Sequence, residues 1–270
     1  RMSALMAHVA GVGVFAPGWP DWASARAGLR GDVAIPIPED IDRYPSPAGL
    51  PRNERRRTSP ITRIAFAASE DALANTDCAR GDLRSVFASC SGDMDIVDDI
   101  CRALTEQPVA LSPTQFHNSV HNASAGYWGI ANQARAASTS LSAFDASFAA
   151  GLIEASLQVN ESSGEPVLLV CFDVMTRPPL ALARPVPFPF AVAMLLSGDP
   201  LRSLGQLRLD PAAPLGESRM QGALETLRTA NPAARALPLL ELVAREVPGE
   251  VVTPMPSGKW GLGMSYQPKS

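Results

Sequence analysis

Residues 167–172, Val-Leu-Leu-Val-Cys-Phe, are apolar at every position. A run of this kind is what a sheet strand covered on both faces requires, because neither face can then meet water. The polar turn Glu161–Pro166 bounds it on one side, and a helix-like apolar pattern over 147–159 lies just before that turn. A chain built around such a strand must supply covering layers, so the segments either side of it decide the architecture.

Those segments mix the two periodicities. Strands are predicted over 5–16, 85–90, 138–144, 167–172 and 191–196. Helices are predicted over 22–30, from Thr58-Ser59-Pro60 to 74, over 94–104, 119–136 and 147–159. Gly31 is placed to end the first helix, and Pro60 suits a first helical turn. Residues 32–60 and 176–189 are proline-rich and read as irregular, and 106–115 as a loop. The order predicts an α/β fold, a mixed and largely parallel sheet layered with helices. Beyond Gly198 the pattern weakens: a short strand at 207–209, helices at 220–229 and 237–245, and closing strands at 251–252 and 261–264. No linker separates a second core, so 198–270 reads as a short extension completing the same domain as 1–197.

Charge and composition narrow the function. The 270 residues carry a formal net charge of −4, which gives no electrostatic footprint for nucleic acid. No 18-residue apolar run is present and no secretory leader is visible, so a soluble, cytoplasmic protein is expected. Cys78, Cys90, Cys101 and Cys171 have neither zinc spacing nor a disulfide framework, and are expected as free thiols. Gly11-Val12-Gly13 lacks the remainder of a dinucleotide fingerprint, and no cofactor is implied.

Chemistry-bearing residues concentrate between 116 and 155. His117 and His121 are four apart and would share a face of one helix, but no acidic neighbour completes a metal motif. The turn Asp145-Ala146-Ser147 joins a strand of small residues to an apolar helix, where a nucleophile elbow would sit. Asp145 fits a helix cap. Ser147 or Cys90, with His117 or His121, would serve a stand-alone acyltransferase or thioesterase, although no GxSxG context surrounds the serine. Glu54-Arg55-Arg56-Arg57 suits either a phosphate or acidic partner, or a solvated helix entry.

Several pieces together resemble the N-terminal half of a β-ketoacyl synthase, which has the thiolase-type fold. They are Gly11–Gly18, Trp22–Gly31, Ser85–Gly92, Asn122–Gly126, Ser138–Ser147, Val167–Asp173 and Phe190–Leu196. Ser119-Val-His-Asn122, taken with Ser147–Leu152, is most similar to the short chain-length-factor-like proteins of aryl polyene and xanthomonadin-type pathways. The departures are specific. The resemblance aligns Asp145 with the nucleophilic cysteine, and no histidine follows His121, whereas an active ketosynthase draws two from its second half. The resemblance therefore implies a non-catalytic subunit that pairs with an active ketosynthase and meets acyl carrier protein only through it. It also implies a dimer interface along the strand holding Ser138, Ser140 and Ser142. Phe116, Trp128, Phe144 and Phe148 are expected to line that interface and the far end of the partner's acyl tunnel.

Overall fold

A computed structural model describes residues 5–36, 41 and 43–269. The first strand, β1 (Leu5–Phe15), leads through a turn with Gly18 at φ 75° into α1 (Trp22–Arg30). Asp21 caps that helix by accepting the Ser24 N–H, and Gly31 closes it in the left-handed region. After the loop come α2 (Arg52–Arg57), α3 (Pro60–Leu73), β2 (Arg84–Ala88) and α4 (Met94–Ala103). Next are α5 (Pro113–Asn118), α6 (Ala123–Asn132), β3 (Ser138–Leu141), α7 (Ser147–Glu161), β4 (Val167–Asp173) and β5 (Phe190–Ser197). The chain ends with β6 (Gly205–Pro214), α8 (Ala223–Ala230), α9 (Leu237–Arg245), β7 (Gly249–Pro254) and β8 (Trp260–Pro268).

Among the described residues, eight strands form one sheet in the order β3-β2-β4-β5-β1-β6-β8-β7. It is mixed, as expected, but it is not largely parallel. Only β3–β2 and β2–β4 are parallel; the other five pairings are antiparallel. The apolar run in β4 marks the change of direction, parallel to β2 on one side and antiparallel to β5 on the other. Burial on both faces, which the sequence did show, says nothing about strand direction.

Both faces of β4 are packed. Val167, Leu169 and Cys171 join the core under α7, while Leu168, Val170 and Phe172 join the core under α3. The α3 side is close enough that a Cβ on Gly13 would overlap the carbonyl oxygen of Ala68. The strands from 198 onward are longer than expected. One of their faces, with Leu207, Leu209, Leu262, Met264 and Tyr266, is buried, and the other exposes Arg208, Asp210 and Gln267. Such half-polar antiparallel strands give a weaker sequence signal than β4 does.

Two predicted elements change. The helix expected over 119–136 starts later and ends earlier, as α6 (Ala123–Asn132), and a separate short helix, α5 (Pro113–Asn118), forms where the expected loop ends. Ser119 lies at the α5 end and its hydroxyl donates to the Phe116 carbonyl, which closes that turn. The strand expected to reach 144 stops at Leu141, because the chain then tightens into a 3-10 turn over Phe144–Ala146.

Candidate functional site

The strand-to-helix junction is built by hydrogen bonds that leave little freedom. The Ser147 hydroxyl donates to the Phe144 carbonyl at 2.7 Å and accepts the Ala143 N–H at 3.0 Å. The Ser142 hydroxyl donates to the Cys90 carbonyl at 2.6 Å, tying the end of β3 to the end of β2. Between these fixed points Phe144 takes φ 55°, the left-handed region. A bulky residue held there stores on the order of 1–3 kcal/mol of backbone strain, the signature of a nucleophile elbow. The strained residue is thus phenylalanine, one place before the Asp145 that the sequence resemblance aligned with the nucleophile.

Asp145 does not cap α7; no side chain accepts at that helix start. Its carboxylate instead pairs with Arg184, while the Ser147 hydroxyl braces the turn that precedes the helix. The Arg184 guanidinium also lies 3.9 Å from the centre of the Phe144 ring and donates to the Cys90 sulfur at 3.2 Å. Behind this group, at the end of β4, Asp173 is fully enclosed. It accepts the Cys90 N–H at 2.8 Å and the Ser89 hydroxyl at 3.0 Å. Burial pushes its carboxyl up to about 7, against the pull of those donors and of Arg184. Burial likewise raises the Cys90 thiol, opposed by donors from Ser91 and Arg184. A cleft of about 580 Å³ opens in front of the junction, walled by Ala143–Ala146, Glu217, Arg235 and Thr253–Pro256.

The residues proposed for a stand-alone hydrolase form no hydrogen-bonded nucleophile–histidine pair among the described residues. His117 faces Asn118 (Nδ1 to Oδ1, 3.2 Å) and packs edge-on against Tyr127, while His121 Nε2 meets the Ser89 carbonyl at 3.1 Å. With the helix broken between them, the two do not share one helical face. The Ser147 hydroxyl is committed to the turn, and among the described residues no histidine hydrogen-bonds Ser147 or Cys90. No group of three or more potential metal ligands occurs among the described residues.

The expected interface aromatics divide. Phe116 and Phe144 are 64% and 61% exposed. Trp128 and Phe148 are buried in the chain's own cores, Trp128 edge-on against Phe66, so neither presents a surface to a partner. Ser138 accepts from the Ser85 hydroxyl, so Ser138 and Ser142 both turn toward β2 and its extension. Sequence reasoning missed Arg184 and Asp173. Arg184 lies in the proline-rich segment, 39 residues from Asp145, and no local pattern links them.

The profile of the family described as beta-ketoacyl synthase, N-terminal domain, matches residues 19–255. The chain belongs to that family. Solved structures give this ketosynthase-family chain a thiolase-like fold. One similar structure is the ketosynthase ApeO in complex with its chain length factor ApeC from Xenorhabdus doucetiae, at 24% identity and TM-score 0.66, covering 97% of this chain and 99% of that one. Another is the ishigamide ketosynthase/chain length factor, at 13% identity and TM-score 0.71, covering 98% and 100%. A third is the type II polyketide synthase complex AntDE:AntF, an acyl-carrier protein with its ketosynthase, at 12% identity and TM-score 0.73, covering 98% and 100%. No curated protein matches the ketosynthase-family chain by sequence. None of its helices among the described residues is long and apolar enough to cross a membrane.

Proposed function

We propose that this ketosynthase-family chain is a chain-length-factor-like subunit that performs no condensation itself. It pairs with an active β-ketoacyl synthase and shapes the chamber in which that partner extends an acyl chain held on acyl carrier protein. The observation that carries this is Phe144 at the strained elbow, in a sequence with no histidine after His121. A phenyl ring cannot take an acyl group. Decarboxylation of a malonyl unit in the family's manner needs imidazoles that this sequence does not supply beyond position 121. The aryl polyene or related pathway follows from the resemblance at Ser119–Asn122 and Ser147–Leu152, and it belongs to the same proposal.

Pairing is supported by what the fold leaves uncovered. β3 ends the sheet, with no strand on its outer side among the described residues. An open edge of this kind is normally covered in a native assembly. The excursion from α4 to α5 also keeps little inside: Val97, Leu104, Val109, Leu111, Phe116 and Val120 are all exposed. Exposed apolar side chains in this number, together with an open sheet edge, suit a second chain. The test is co-expression with an active β-ketoacyl synthase, followed by native mass measurement. A one-to-one complex is expected, and the isolated chain should release no condensed product from malonyl- and acyl-loaded carrier protein. Condensation by the isolated chain would overturn the reading.

A further inference from the structure

The contacts around Phe144 do more than remove a nucleophile. Arg184 reaches the elbow from a loop that is itself braced. The Thr176 hydroxyl donates to the Arg184 carbonyl at 2.6 Å, and Thr176 and Val186 are joined by hydrogen bonds at 3.0 and 2.9 Å. The Arg184 N–H donates to the Leu180 carbonyl at 2.9 Å. From that base the guanidinium makes its three contacts: the face of the Phe144 ring, the Asp145 carboxylate and the Cys90 sulfur. A planar cation stacked on a ring and held on its other edges fixes the ring's direction as well as its presence. Phe144 forms part of the wall of the 580 Å³ cleft.

We infer that Phe144 and Arg184 form a plug, with Arg184 as the positioning residue. The plug keeps acyl chains out of this chain's own cleft, so that the growing product has only the partner's tunnel to occupy. This rests on the subunit reading above and adds a device to it: a ring held in place at the cleft wall, in a site that is also unarmed. The pair acts as a unit, since Arg184 works by holding the ring and touches no acyl chain itself.

The test needs only the isolated chain, so its failure is separable from a failure to pair. The probe is a decanoyl-pantetheine analogue with the thioester replaced by a non-hydrolysable ether, and binding is read by calorimetry. The wild-type chain should show no saturable binding, and Phe144→Ala should bind at least about tenfold more tightly than the wild type. Arg184→Ala should also open the cleft, and so should Arg184→Lys, which keeps the charge beside Asp145 but loses the planar stack. Combining Phe144→Ala with Arg184→Ala should bind no more tightly than Phe144→Ala alone, because without the ring the arginine has nothing to aim. Arg184→Lys keeps the ion pair, so the inference remains testable if Arg184→Ala fails to fold. Wild-type binding within about twofold of Phe144→Ala would overturn the plug. Additive effects of the two alanine substitutions, or Arg184→Lys behaving as wild type, would remove Arg184 from the positioning role.

Discussion

At the scale of single residues, two side chains near the elbow have roles that stability measurements can separate from catalysis. The Ser147 hydroxyl adds two side-chain hydrogen bonds across the 3-10 turn, to the Phe144 carbonyl and from the Ala143 N–H. Ser147→Ala should therefore lower unfolding free energy by about 1–2 kcal/mol, read from the urea midpoint. Acyl labelling of the chain should be absent before and after the change; label that disappears only in Ser147→Ala would restore serine as a nucleophile. Asp173 gives a pH signature. Its folded-state pKa, about 7, lies above the ordinary carboxylate value of 3.8. The native state therefore holds its proton more tightly than the unfolded state does. The resulting stability is fully present below about pH 4 and is lost as pH rises through about 7, a change on the order of 4 kcal/mol. Asp173→Asn should flatten that part of the pH–stability curve. An unchanged slope in the variant would show that the carboxyl is not the titrating group.

The β3 edge makes a sharper experiment possible at the scale of elements. The Ala137 and Leu141 carbonyls accept from Ser85 and Ser89, so the alternate residues Ser138 and Ser140 turn their backbone groups away from β2. Proline at 140 removes an outward N–H and leaves the inward ladder intact. Ser140→Pro should melt close to the wild-type temperature yet fail to form the partner complex in gel filtration. A complex that survives would place the interface elsewhere. Elements also differ in how far the sequence disclosed them. β4 was legible because burial on both faces leaves only apolar residues, and α1 because Asp21 and Gly31 mark its ends. Strand direction was not, since a buried strand has the same composition whether its neighbour runs parallel or antiparallel. The break at Ser119–Asn122 was hidden as well: the residues there carry no proline, and the closing bonds from Ser119 involve a carbonyl that composition does not reveal.

For the whole molecule, the arrangement combines a layered sheet, a strained turn at Phe144 with Arg184 over its ring, an open edge at β3 and exposed apolar side chains between α4 and α5. The junction itself was readable from a strand of small residues running into an apolar helix. The strain at Phe144 was not, because a left-handed φ there depends on hydrogen bonds from Ser147 and leaves no mark in residue type. Arg184 entered only through tertiary structure. The claim that joins these levels is that carbon–carbon bond formation belongs to the partner. Its most direct measurement is chain elongation by the reconstituted pair, with the partner's nucleophilic cysteine either intact or replaced by alanine and with this chain wild-type in both. Elongation by the intact pair and none by the cysteine-free pair is the result expected; product from the cysteine-free pair would mean that this chain supplies a nucleophile of its own and would contradict the account.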